Sequence, residues 1–127
     1  MNISSLKVLI VDDYKTMLKI INNLLRQLGF NNIEEATDGS MALEKLRNGK
    51  FDLIISDWNM EPMSGLDLLR SVRSDANLKG MPFIMVTAES KVENVVVAKQ
   101  AGVSNYIVKP FNAQTLKSKL VSVFGDF

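Results

Sequence analysis

The chain contains neither cysteine nor histidine. Without cysteine there is no disulfide, no thiolate nucleophile and no thiolate metal site, and without histidine there is no imidazole ligand and no histidine general base. Any chemistry must therefore come from carboxylates, hydroxyls and lysine. An excess of one charge is also lacking, since 15 Lys and Arg face 14 Asp and Glu for a net charge of +1. With no long basic or acidic run, neither nucleic acid nor an anionic membrane surface is an expected partner. No apolar run approaches the ~20 residues of a membrane-spanning helix, and no basic stretch followed by a signal-type apolar segment opens the chain, so a cytoplasmic protein is expected. What is present is a 46% hydrophobic chain of 127 residues, enough for one sizeable core. No linker, repeat or low-complexity segment interrupts it, and a single domain over residues 1–127 is expected.

Apolar runs of strand length alternate with helical periodicity. Leu6 to Val11 is a near-continuous aliphatic run that stops at Asp12-Asp13, the pattern of a strand covered on both faces. From Tyr14 to Leu28 the residues Met17, Leu18, Ile20, Ile21, Leu24, Leu25 and Leu28 recur at helical spacing, with Gly29 placed to end the helix. Ile33 to Thr37 reads as an edge strand, and Asp38 as the cap of a helix running to about Asn48, with Gly49 at its end. Phe51 to Ser56 is a second buried strand that delivers Asp57. Ser64 followed by Asp67 is a capping signal for a helix with Leu66, Leu69 and Val72 inward. Pro82 to Val86 is a strand ending at Thr87, and Ser90 with Glu93 is a capping-box candidate for a helix to about Ala101. Asn105 to Val108 is the last strand, before Lys109-Pro110. Asn112 caps a final helix carrying Leu116, Leu120 and Phe124 on one side.

This alternation predicts an α/β fold, a doubly wound five-stranded parallel sheet with five helices distributed over both faces. Ligands of such sheets sit outside the carboxyl ends of the strands, where the strand order reverses. The strand ends carry Asp12-Asp13, Asp57, Thr87 and Lys109, so fold geometry alone gathers three carboxylates, a hydroxyl and an ammonium at one edge. Neighbouring carboxylates repel, and a hard divalent cation is the natural compensation. Oxygen-only ligation with room for water suits Mg²⁺, which completes its shell with phosphate oxygens. A phosphoryl group is then the expected substrate, with Asp57, central in the sheet, as the nucleophile.

Four segments, Val11-Asp12-Asp13, Ser56-Asp57-Trp58-Asn59-Met60, Val86-Thr87-Ala88-Glu89 and Tyr106-Ile107-Val108-Lys109-Pro110-Phe111, resemble the signature of response-regulator receiver domains. The resemblance spans the chain. Trp58-Asn59, Phe30-Asn31-Asn32 and Ala88-Glu89 resemble in particular the family's single-domain chemotaxis regulators. It implies a flavodoxin-like sheet of order 2-1-3-4-5, and phosphorylation of Asp57 by the phosphohistidine of a chemotaxis-type histidine kinase. It implies that Asp13, Asp57 and the Asn59 backbone carbonyl hold Mg²⁺, with Asp12 acting through metal-bound waters, and that Thr87 and Lys109 contact the phosphoryl oxygens. It further implies that Tyr106 switches between outward and inward positions as Thr87 moves. The output is a changed surface on the fourth helix, fifth strand and fifth helix, which binds the flagellar motor switch protein. A phosphatase is a further partner, and the domain is a monomer and a phosphoacceptor switch, not an enzyme in the usual sense. The same chemistry also serves a phosphate sink or a phosphorelay shuttle. Lys109-Pro110 resembles the family's cis X-Pro bond. Glu61 departs from the pattern, because the family has proline there and this chain has it one place later, at Pro62.

Taken singly, these residues have blander readings. Asp12 and Asp13 also suit capping of the first helix, Asp57 a solvated loop acid, Thr87 a plain strand end, Lys109 a solvated lysine, and Tyr106 and Trp58 simple packing. Their joint placement at strand ends argues otherwise. Two other functions belong to the same fold. A flavin carrier needs a glycine- or hydroxyl-rich phosphate loop after the first strand, where Asp12-Asp13-Tyr14 would repel the phosphate. An aspartyl-phosphate phosphatase needs a second acid two residues after its nucleophile, where Asn59 stands.

Overall fold

Five short strands, each rich in Val, Ile, Leu, Phe or Met, hydrogen-bond in parallel in the order β2-β1-β3-β4-β5. They are β1 (Lys7–Val11), β2 (Asn32–Ala36), β3 (Leu53–Asp57), β4 (Phe83–Thr87) and β5 (Asn105–Val108). Between and after them run α1 (Lys15–Leu28), α2 (Gly39–Asn48), α3 (Gly65–Ser74), α4 (Val92–Gln100) and α5 (Ala113–Phe124). The structure is a computed structural model and describes residues 2–88 and 92–127, with the backbone alone at Val92. The expected cap at Ser90, and Glu89 of the third signature segment, lie outside the described residues.

Strand side chains alternate between two cores. Leu9, Val11, Ile54, Phe83, Met85 and Tyr106 face one side, where α2, α3 and α4 contribute residues such as Leu46, Leu68 and Ala98. Val8, Ile10, Leu53, Ile55, Ile84, Val86 and Ile107 face the other, against Leu18, Ile21 and Leu25 of α1 and Leu116 and Leu120 of α5. Burial on both faces explains why the central strands lack polar alternation. All five residues of β3 are buried, the terminal Asp57 included. Each fully buried aliphatic side chain contributes about 1.5–3 kcal/mol, so the strand carrying Asp57 is held from both sides.

The helix ends follow the predicted signals in most places. Asp38 Oδ1 accepts from the Met41 amide, Ser64 Oγ from Asp67 and Asn112 Oδ1 from Thr115, at 2.8, 3.1 and 2.8 Å. Gly29 closes α1 at φ 109°, a left-handed conformation that a side chain would disfavour. Other details differ. Gly49 is extended at φ −148°, so α2 ends without a left-handed cap. Ile20, expected on the inner face of α1, is 43% exposed, because two residues on from the buried Leu18 is about 200° round the axis. In α3, Leu68 is fully buried whereas Leu66 is only half-buried. None of the described helices is long and apolar enough to cross a membrane.

Candidate functional site

From β1 the chain turns one way to β2, and from β3 the other way to β4, so the sheet reverses direction between β1 and β3. Val11 is in register with Ser56, which sets Asp12 beside Asp57 at this reversal. Asp57 pairs with Val86 and Thr87 with Val108, and the Lys109 amide donates to the Thr87 carbonyl at 2.8 Å. The strand ends therefore bring Asp12, Asp13, Asp57, Thr87 and Lys109 to one edge, as expected.

Lys109 Nζ lies 3.1 Å from Asp57 Oδ1 and 3.4 Å from Asp12 Oδ2. One ammonium thus serves two buried carboxylates. Burial pushes the pKa of Asp57 above the usual carboxylate value, and the nearby Asp12 pushes it further, while Lys109 opposes both. Asp12 is likewise raised by burial, against the Tyr14 amide and Lys109, which favour its charged form. A single cation leaves this pair under-compensated.

Asp12 also has a structural task, accepting from the Tyr14 amide at 2.9 Å. This local turn fixes the exit of β1. Tyr14 is the N-cap of α1, which has no side-chain capping bond, so helix capping does not explain Asp13. That residue is exposed. Oxygens of Asp12, Asp13 and Asp57 all lie within 4.8 Å of one another. Opposite ligands of an octahedral Mg²⁺ stand about 4.2 Å apart, at 2.0–2.1 Å from the ion. The all-oxygen donor set and its spacing fit Mg²⁺ that keeps part of its water.

The site opens into a cavity of about 410 Å³ lined by Asp13, Trp58, Asn59, Met60, Glu61 and Ser64. Close packing fixes the loop behind it. The Gly65 amide donates to the Trp58 carbonyl at 2.8 Å, and a Cβ on Gly65 would stand only 2.1 Å from the Asp57 carbonyl oxygen. The bonds Glu61–Pro62 and Lys109–Pro110 are both cis, the second as the resemblance implies. Thr87 is fully buried and the Tyr106 ring nearly so. Tyr106 meets Trp58 edge-on with centroids 6.3 Å apart. Sequence reasoning missed three features. Gly65 and the lining position of Glu61 depend on how the β3–α3 loop folds back, for which sequence carries no periodic signal. Exposed Val96 on α4 and Val108 on β5, at 45% and 39%, broke the apolar pattern only by facing outward.

A doubly wound sheet with an acidic pocket, a buried threonine and a lysine at its switch point defines a class, and the chain belongs to the response regulator receiver domain family, which it matches over residues 8–121. Its relatives place it among chemotaxis response regulators of the CheY type in two-component signalling. It is 56% identical over 119 residues to chemotaxis protein CheY of Pseudomonas aeruginosa, covering 94% of this chain and 96% of the relative. It is 55% identical over 120 residues to chemotaxis protein CheY-3 of Vibrio cholerae, covering 94% and 92%. Among solved structures, CheY4 of Vibrio cholerae aligns with a TM-score of 0.86 at 37% identity over 93% of this chain and 98% of that one. The response regulator TrrA of Thermotoga maritima, in complex with Mg²⁺-BeF, aligns with a TM-score of 0.80 at 31% identity over 91% and 96%.

Proposed function

We propose that residues 1–127 act as a single, monomeric receiver domain, phosphorylated on Asp57 by a chemotaxis-type histidine kinase and read out by the flagellar motor switch protein. The observation that carries this reading is Lys109 bridging Asp57 and Asp12 at the sheet reversal. An Asp57 oxygen bonds to phosphorus as the N–P bond of phosphohistidine breaks, and the imidazole nitrogen leaves with the electron pair. Lys109 passes from the carboxylate to the phosphoryl oxygens, and the Thr87 hydroxyl donates to another of them. Asp13, Asp57 and the Asn59 backbone carbonyl would hold Mg²⁺, with Asp12 acting through its waters. What the ion supplies when bound is neutralisation of charge on the phosphoryl group.

The phosphoryl group adds about −1.5 to −2 charge, drawing Thr87 towards Asp57. The space that Thr87 vacates favours the inward Tyr106 ring, and the face of α4, β5 and α5 changes with it. Val92, whose side chain lies outside the described residues, Val95, Tyr106 and Lys119 belong to that face, and the exposed Val96 and Val108 extend it. A ligand shifts such an equilibrium only by its differential affinity for the two states, typically about 5- to 150-fold. Beryllofluoride with Mg²⁺ is therefore expected to tighten binding of a motor-switch segment within that range, and Thr87→Ala to reduce the gain. Equal affinities with and without beryllofluoride would remove the switch, and tighter binding to a phosphotransfer protein in place of the motor segment would favour the sink or shuttle role.

Lys109→Arg tests the ammonium separately. Its planar guanidinium does not fit the compact position between two carboxylates at 3.1 and 3.4 Å. The beryllofluoride-induced gain is expected to fall by roughly tenfold, about 1.4 kcal/mol. An unchanged gain would remove Lys109 from the switch.

A further inference from the structure

Among the described residues a fourth carboxylate, Glu61, lines the cavity beside the cluster of Asp12, Asp13 and Asp57. Lys109 compensates the inner two, Asp12 and Asp57. The outer two, Asp13 and Glu61, line the same open cavity with Asn59, Trp58 and Ser64. Among the described residues no lysine or arginine pairs with either of them. Among the described residues the cation paired with this cluster, Lys109, thus sits on its inner side, and Asp13 and Glu61 give the cavity lining negative charge.

We propose that Glu61 is an outer-sphere determinant of divalent-cation affinity, acting through the cation's water shell from the lining of the cavity it shares with Asp13. This rests on the Mg²⁺ reading given above and extends it to a residue outside the ligand set. Glu61 is exposed, so it does not strip water from the ion. Mg²⁺ dehydrates reluctantly and keeps several waters, and those waters are donors to which a second-shell carboxylate hydrogen-bonds. The same carboxylate makes the mouth of the cavity attract cations from a distance. Because the interaction crosses solvent, it is modest and weakened by salt: the screening length shrinks from about 30 Å at 0.01 M to about 3 Å at 1 M.

The chain carries its own reporter. Trp58 is its single tryptophan and lines the same cavity, so its fluorescence follows cation entry without any phosphoryl transfer. Mg²⁺ titrations at low salt are expected to give a dissociation constant about three- to tenfold weaker for Glu61→Gln, and weaker again for Glu61→Lys. The ratio of variant to wild type is expected to approach one near 1 M monovalent salt. Glu44→Gln on α2 removes the same net charge at a distant groove, and it controls for overall charge by retaining wild-type affinity. Isothermal titration calorimetry gives the same constants where the fluorescence change is small. If the wild type binds Mg²⁺ and Glu61→Gln binds it equally well at low salt, the inference about Glu61 is overturned while the metal site stands. If the wild type binds no Mg²⁺, both are overturned. A loss in Glu61→Gln that is matched by Glu44→Gln, or that persists undiminished at 1 M salt, also overturns it.

Discussion

Asp57→Asn is expected to abolish labelling by acetyl phosphate and Mg²⁺ while making the metal-free protein more stable at neutral pH. The first effect follows from chemistry, because an amide offers no anionic oxygen to phosphorus and no other acid stands at the end of the central strand. Label retained at full stoichiometry would remove Asp57 as acceptor. The second effect follows from the electrostatics of the pocket. Burial and Asp12 hold the folded-state pKa of Asp57 above its ordinary value of 3.8, so the folded chain binds this proton more tightly than the unfolded chain. Stability therefore falls as pH rises from the ordinary value through the raised one, and the penalty is fully present above that window. Asparagine has no such penalty. The variant is therefore expected to be the more stable at pH 7, with the difference closing as pH falls through the window. Mg²⁺ is expected to stabilise the wild type more than the variant, since a cation binding the folded state adds stability with concentration. Chemical denaturation at several pH values checks the sign, and a variant less stable than wild type at pH 7 would show that Asp57 is adequately compensated by Lys109.

The sheet was legible because both-face burial leaves continuous apolar runs, and each run ended where a charged or hydroxyl residue now lies at the pocket. Once the alternation of strand and helix was recognised, the position of Asp12, Asp57, Thr87 and Lys109 followed from the strand-end rule. The strand order did not follow from periodicity. It came with the family resemblance, since alternation of strands and helices is compatible with more than one doubly wound order. Ile20 shows the limit in another direction: its apolar character suggests the inner face of α1, but its angle places it on the solvent side.

The loop between β3 and α3 was the least legible part. Its shape is governed by contacts between residues that carry no periodic pattern, such as the Gly65 amide with the Trp58 carbonyl. Glu61 showed in the sequence only as a departure from the family pattern, and that it lines the cavity with Asp13 required the folded loop. The role of Asp12 was similarly divided. The carboxylate was identified as part of the acidic cluster, but its bond to the Tyr14 amide means that it also sets the turn from which Asp13 projects.

Gly65→Ala is expected to be among the most damaging single-methyl changes in the chain. The added Cβ would stand 2.1 Å from the Asp57 carbonyl oxygen, 2.9 Å from its carbonyl carbon and 2.9 Å from Met85 Sδ. The methionine sulfur has rotamers to retreat into, but the peptide of Asp57 sits at the end of a strand buried on both faces. Relief therefore requires the start of α3 to lift away, losing the bond from the Gly65 amide to Trp58, or the Asp57 peptide to tilt. Overpacking of this severity costs about 3 kcal/mol, which lowers the melting temperature by roughly 10 °C in a domain of this size. Two other glycines make the comparison. A Cβ on Gly80 meets nothing within 4 Å, whereas the three atoms nearest one on Gly39 all belong to the Met63 side chain, the first at 2.7 Å. The expected order of destabilisation is Gly65→Ala, then Gly39→Ala, with Gly80→Ala within about 0.5 kcal/mol of wild type. Thermal melts check the order, and a Gly65→Ala melt matching that of Gly80→Ala would refute the packing argument. Labelling by acetyl phosphate, measured well below the melting temperature, separates the two modes of relief. Slow labelling of a folded Gly65→Ala protein would mean that the methyl displaces the Asp57 peptide and its carboxylate with it, and normal labelling would mean that α3 yields instead.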